Sequence, residues 1–302
     1  AIVGRHANRI AGGRVTIAGR PYLLELNTGS RKQNHIHGGS NGLHYHLWMA
    51  EIVEGGVEFT TISPDGEGGY PGDLKIAVTY ALSEKNEFVI SYEAEANGDT
   101  VCNLTQNTHF NLEGFSSGPV LDQKLCIFAE KYTPTDNEMI PDGRILLVEG
   151  TPLDFREMKE IGARIDAPFS QMRWAGGYDH NFVLDQTPAE EEAKELGLGE
   201  DAACPVDYKT LHKLVHAYAE KTGIHMHACS STRATISTAC SRASRARHSL
   251  RARASRSKRR SFPTPCIMRT SRSRFCAQAR SGRRGRCSPL AWRDGASVSE
   301  PF

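Results

Sequence analysis

The chain has 302 residues, 24% of them charged, and a formal net charge of +2 that conceals two regions: residues 1–227 hold 19 Lys and Arg against 33 Asp and Glu, while residues 228–302 hold 18 against 2. No apolar run approaches the roughly 18 residues of a membrane-spanning helix, and no stretch reads as a secretory h-region. Cys102, Cys126 and Cys204 are scattered through the acidic region, which argues against a disulfide framework there and for reduced thiols in a cytoplasmic protein.

From Ala1 the pattern is already under way, in "AIVGRHANRI", without an initiator Met; this reads as the interior of a longer pattern. The next dense feature is "NHIHGGSNGLHYHLW", with His35, His37, His44 and His46. If extended, each H-x-H pair puts two imidazoles on one side of a strand, so a four-nitrogen metal cage is conceivable. The cluster lacks both a cysteine and a carboxylate, and the expectation is no metal. In "LKIAVTYAL", Leu74, Ile76, Val78, Tyr80 and Leu82 share one face, "SEKN" turns the chain, and "EFVISYEAEA" returns with Phe88, Ile90 and Tyr92 aligned. Gly and Pro punctuate the rest in loops or turns ("SPDGEGGYPGD", "EGFSSGP", "YTPTDNEMIPDG", "VEGTPLDF"). Helical pattern is confined to charged pieces such as "TPAEEEAKELG". The body, residues 1–227, is therefore expected to be all-β, a sandwich or barrel with long functional loops.

After His227 the character changes. Residues 228–293 contain 17 Arg, 13 Ser and 10 Ala and no acidic residue. So little apolar surface does not offset backbone ordering at roughly 1–2 kcal/mol per residue, so residues 228–302 are expected to form a disordered tail. Arg/Ser-rich segments of this kind bind RNA through charge; the reading favoured here is a shifted frame in GC-rich coding sequence, which leaves no nucleic-acid partner.

Six stretches together resemble the aldose 1-epimerase (galactose mutarotase) family: "GRHANRIAGGR" (4–14), "HIHGGSNGL" with the Trp that follows (35–48), "SPDGEGGYPGDL" (63–74), "NLTQNTHFNLEG" (103–114), "YTPTDNEMIPDGRILLVEGTPLDFR" (132–156) and "GGYDHNFVLD" (176–185). They stand in the family's order. The resemblance implies an all-β galactose-mutarotase-like supersandwich, here incomplete at both ends, with unpaired sheet edges and low stability. It further implies an isomerase that interconverts the α and β anomers of an aldohexose such as galactose or glucose. Such chemistry needs an acid and a base and no cofactor; the partner is a small sugar, with no membrane involved.

Carried over residue by residue, Asn8 and Arg9 would contact sugar hydroxyls, His37 would bind substrate, and Asp179 would accept hydrogen bonds from hydroxyls. Thr108 falls within the same family motif as Asn107 and His109, and all three count as substrate-binding candidates. Two departures stand out. The family's general-acid histidine falls on Asn107, whose carboxamide cannot release a proton near neutral pH; His109, two residues along the same strand face, is the candidate substitute. The family's general-base glutamate belongs within residues 228–302, where the only carboxylates are Asp294 and Glu300 and the only Gln is Gln278, none in a matching context. The alternatives are a non-catalytic carbohydrate-binding protein and RNA binding through the tail.

Overall fold

The computed structural model describes residues 1–230, apart from 85, 186, 197, 199–207 and 209–210, together with the strands at 235–241 and 267–271. In chain order the first strands are β1 (Ile2–Val3), β2 (Arg9–Ile10), β3 (Arg14–Ile17), β4 (Arg20–Leu23) and β5 (His35–Ile36). A long meander follows: β6 (Met49–Val53), β7 (Gly56–Ser63), β8 (Leu74–Leu82) and β9 (Phe88–Ala96). After it come β10 (Thr105–His109), β11 (Lys124–Ile127), β12 (Lys131–Thr133), β13 (Leu146–Leu147), β14 (Lys159–Glu160), helix α1 (Ser170–Ala175), β15 (Gly177–Val183), helix α2 (Glu190–Glu195), β16 (His212–Ala219), β17 (Ile224–Ser230), β18 (Thr235–Ser241) and β19 (Ile267–Ser271).

The all-β expectation holds, and the meander shows why. Leu74, Ile76 and Val78 of β8 are completely buried while the intervening residues are not, the period-two signature of a half-buried strand. The turn at "SEKN" sets the register: Ser83 and Glu87 exchange backbone and side-chain hydrogen bonds, and this brings Val78 opposite Tyr92, Tyr80 opposite Ile90 and Leu82 opposite Phe88. The inward row packs on Ile2, Leu43 and Leu104, each full burial contributing about 1.5–3 kcal/mol.

A second core lies between a seven-stranded sheet, ordered β1-β10-β19-β18-β15-β12-β13, and a four-stranded sheet, ordered β14-β11-β16-β17. Tyr132, Tyr178 and Phe182 point inward from the larger sheet; Leu125, Ile127, Val215 and Ala217 point inward from the smaller, with Leu153, Phe155, Ile165 and Met172 filling the ends. The outer side of the larger sheet carries the polar residues considered below.

The segment from residue 228 differs from the expected disordered tail in two places. β17 runs on to Ser230, past the boundary drawn at residue 227, and β18 and β19 insert as paired antiparallel strands between β10 and β15. "TISTACS" combines β-branched residues at 235, 236 and 238 with no like-charge run, which suits a strand; composition averaged over the whole segment hides it. The rest of 228–302 lies outside the described residues. The charged helix was expected within "TPAEEEAKELG"; α2 occupies its centre and seats Ala193 inward.

Candidate functional site

Asn8 and His37 adopt left-handed backbone conformations, φ 68° and 55°, a region sparsely populated by side-chain-bearing residues and enriched at sites where surrounding structure enforces it. What enforces it is a reciprocal clasp. The His37 N–H donates to the Asn8 carbonyl at 3.2 Å, and the Asn8 N–H donates to His37 Nδ1 at 2.9 Å. Because Nδ1 accepts, the proton of the neutral ring sits on Nε2, which becomes a donor. Arg9 lies beside them, its guanidinium donating to Asn8 Oδ1 at 3.2 Å. The strand pair β2–β5, with Arg9 opposite Ile36, and the following Gly38 hold the cluster in place. A Cβ on Gly38 would fall 1.8 Å from the Gly4 carbonyl oxygen, so only glycine lets the two backbones approach. Next to His37 opens a cleft of about 340 Å³, lined among others by Glu25, Lys32, His44 and Tyr45, within the size range of small-ligand sites. Hydrogen bonds from Ser40 hold the Glu25 carboxyl below its ordinary range.

The second group stands on the outer face of the seven-stranded sheet. Register runs unbroken from His109 through residues 267 and 239 to Asp179, and in the adjacent row from Asn107 through 269 and 237 to Asn181 and Thr133. Directly paired residues share a face, as do residues two apart along a strand. Asn107, His109, Asp179 and Asn181 are therefore on one face, opposite the buried Tyr178, His180 and Phe182. Three strand spacings, about 14 Å, separate the β10 pair from the β15 pair. His109 Nε2 meets Asn107 Oδ1 at 3.2 Å; since a carbonyl oxygen only accepts, Nε2 is the protonated nitrogen. Asn181 donates to Thr133 Oγ1 at 3.1 Å. The two groups connect where the chain passes β10: the Ala7 N–H donates to the Asn103 carbonyl and the Asn103 N–H to the Arg5 carbonyl, at 2.8 and 2.7 Å.

Thr108 does not join them. It lies on the opposite side of β10, accepting from Gln106 at 2.6 Å, while Gln106 accepts from Tyr80 at 2.8 Å. Asp294, Glu300 and Gln278 fall outside the described residues. The four clustered histidines have four separate sets of partners. His35 is fully buried, with Nδ1 at 2.7 Å from the Glu25 carbonyl and Nε2 at 2.7 Å from the Tyr70 hydroxyl, and burial lowers its pKa. It was expected to share a strand face with His37, but β5 ends at Ile36 and the left-handed turn at His37 breaks the alternation. His44 packs on Tyr45, and His46 pairs with Glu67 at 2.9 Å. Sequence reasoning missed Asn181, two residues beyond Asp179 and so legible from strand alternation, and Arg5, whose role no local pattern signals. Arg5 is buried and donates to Ser63 Oγ, Thr100 Oγ1 and the carbonyls of Ser63, Pro64 and Pro71, all at 2.8–3.0 Å, pinning the "SPDGEGGYPGD" loop.

Comparison with known proteins bears on this arrangement. The family model described as aldose 1-epimerase matches residues 1–252. The chain is 43% identical over 187 residues to galactose mutarotase of Rattus norvegicus, covering 62% of this chain and 52% of that protein. It is 38% identical over 185 residues to aldose 1-epimerase of Escherichia coli (strain K12), covering 61% and 52%. The chain thus spans about half the length of the curated relatives it matches. Among solved structures it is similar to a GalM/aldose epimerase homologue from C. elegans, with a TM-score of 0.57 at 25% identity over 79% of this chain and 61% of that one. A galactose 1-epimerase from Lactobacillus acidophilus NCFM gives a TM-score of 0.57 at 28% identity over 78% and 59%. With the expected motifs in order on a β-rich fold of this kind, the chain belongs to the aldose 1-epimerase family.

Proposed function

We propose that this chain binds an aldohexose such as galactose or glucose and interconverts its anomers slowly, as a mutarotase impaired at its acid. The observation that carries the reading is the pairing of His109 with Asn107 on the polar face that also bears Asp179 and Asn181. Opening the ring breaks the C1–O5 bond while the O1 proton leaves to a base and O5 takes a proton from an acid; rotation about C1–C2 and reclosure give the other anomer. His37 Nε2–H and the Arg9 guanidinium donate to hydroxyl oxygens, and Asp179 accepts from hydroxyls. Asn107 holds the position of the acid but has no proton to give at neutral pH. His109 has one, directed at Asn107 Oδ1, and must turn from that partner to reach O5, so turnover is slow. Within residues 228–302, where the family's base belongs, no carboxylate stands in a matching context, so the O1 proton leaves to water and turnover is slowed further.

Relatives named as galactose mutarotase and aldose 1-epimerase support this reading, and they lend no support to a purely carbohydrate-binding role or to RNA binding through the tail. Cys102, Cys126 and Cys229, none of them in a disulfide, fit a reducing, cytoplasmic setting; among the described residues no helix is long and apolar enough to cross a membrane.

Polarimetry on freshly dissolved α-galactose tests the proposal. A weak acceleration is expected that His109→Phe abolishes and Asn107→His raises by about 10²-fold or more, the range contributed by a positioned acid. Turnover unchanged in His109→Phe sinks the substitution of acid. Sugar binding with no acceleration in either the parent chain or Asn107→His sinks the enzymatic reading.

A further inference from the structure

The H-x-H geometry that fails at His35 and His37 is realised at the far end of the described chain. β16 and β17 form an antiparallel hairpin at the edge of the four-stranded sheet, with His216 directly opposite His227, and His225 two residues earlier opposite Tyr218. Alternation puts the three imidazoles on one face. His216 Nε2 lies 2.9 Å from His225 Nδ1, the rings of His216 and His227 stack with centroids 4.1 Å apart, and one nitrogen from each ring lies within 4.8 Å of the other two. From behind, Glu192 of α2 holds His227 Nδ1 at 2.9 Å, and its other oxygen is held by Lys213 at 3.0 Å.

We propose that His216, His225 and His227 bind one zinc-class divalent cation, with Glu192 as the positioning residue behind His227. Tetrahedral zinc at 2.0–2.1 Å from each nitrogen needs nitrogens roughly 3.4 Å apart, a separation within the range the three rings already span. Small side-chain rotations complete the set. Glu192 on Nδ1 leaves Nε2 of His227 to the metal and makes that nitrogen a stronger donor, the carboxylate–histidine–metal arrangement. His225 and His227 are exposed and His216 is half-buried, so the site opens to solvent and water supplies the fourth ligand. Imidazole is a ligand suited to zinc, and a bound ion would clamp β17, an edge strand, to β16. This surface belongs to a different sheet from Asn107 and Asp179 and does not depend on the sugar-site reading.

The test is Zn²⁺ titration of the full chain, free of any histidine tag, by calorimetry, together with Co²⁺ absorption. One Zn²⁺ per chain with micromolar or tighter affinity is expected, a Co²⁺ spectrum with visible tetrahedral bands and no thiolate charge-transfer band, and a melting temperature that rises with Zn²⁺. His225→Asn combined with His227→Asn should weaken binding at least tenfold and remove the melting shift while leaving the circular dichroism intact, since both side chains are exposed. Glu192→Gln should weaken binding by about 10–100-fold. Affinity equal in the double variant, a thiolate band indicating cysteine ligation, or no binding at 100-fold the micromolar range would each overturn the assignment.

Discussion

Arg5 makes its contribution through geometry as much as charge. Its planar fork meets three carbonyls and two hydroxyls at once, and Ser63, one of those hydroxyl partners, donates its own hydrogen bond to the carboxylate of Glu67, which in turn pairs with His46. Removing the guanidinium strands several buried acceptors, each costing about 1–3 kcal/mol if left unpaired. Arg5→Ala is expected to destabilise by about 3 kcal/mol or more in urea unfolding. Arg5→Lys should recover only part of that, because an ammonium cannot span the same five acceptors. Full stability in the lysine variant would show that charge alone suffices. At the site itself the exchange of His for Asn at position 107 acts on chemistry rather than stability, since both side chains fit a half-exposed strand position.

The turn His37-Gly38-Gly39 shows the same dependence at the level of an element. It ends β5, aims His37 at Asn8, and passes so close to Gly4 that a methyl group at position 38 would overlap its carbonyl oxygen. Gly38 also has φ +88°, so Gly38→Ala adds backbone strain to the clash; a loss of about 2–4 kcal/mol is expected, with weaker sugar binding because the His37–Asn8 clasp loosens. An alanine variant that melts with the parent would remove the argument for this close approach. How far such elements were legible differs by kind. The β8–β9 hairpin was readable to its register, because alternation and a four-residue turn are local signals. The motifs around Asn8, His37, Asn107 and Asp179 were readable through resemblance. What alternation could not show is where a strand stops: His35 was placed beside His37, yet a single left-handed residue sends the two rings to opposite partners. Alternation itself puts Thr108 on the face opposite Asn107 and His109 and Asn181 on that of Asp179, but no local pattern could show that residues 235–241 and 267–271 pair between β10 and β15, since long-range pairing sets that.

Across the whole molecule the buried histidines set the response to pH. Burial pushes the His180 imidazole down to about 4, against an opposing pull from Asp179. It does the same to His6, to about 4, with His35 adding to the effect and a hydrogen bond to the Asn8 backbone opposing it. In the unfolded chain both titrate near 6.5. Between pH 6.5 and 4 the unfolded state therefore binds protons that the folded state refuses, so stability is complete above about pH 7 and falls as pH drops through that window. The loss reaches about 1.4 kcal/mol per pH unit for each histidine. Asp154 behaves differently: hydrogen bonds from Arg156 hold it at about 2, so its contribution persists above about pH 4 and disappears only below that, outside the histidine window. Urea unfolding of the full chain between pH 7.5 and 4.5 should show the decline. His180→Gln, which stays neutral at every pH, should show a shallower slope whatever its absolute stability, and a parent chain whose stability is flat from pH 7 to 4.5 would mean that these imidazoles are protonated in place and that the core around Tyr178 and Tyr132 admits their charge.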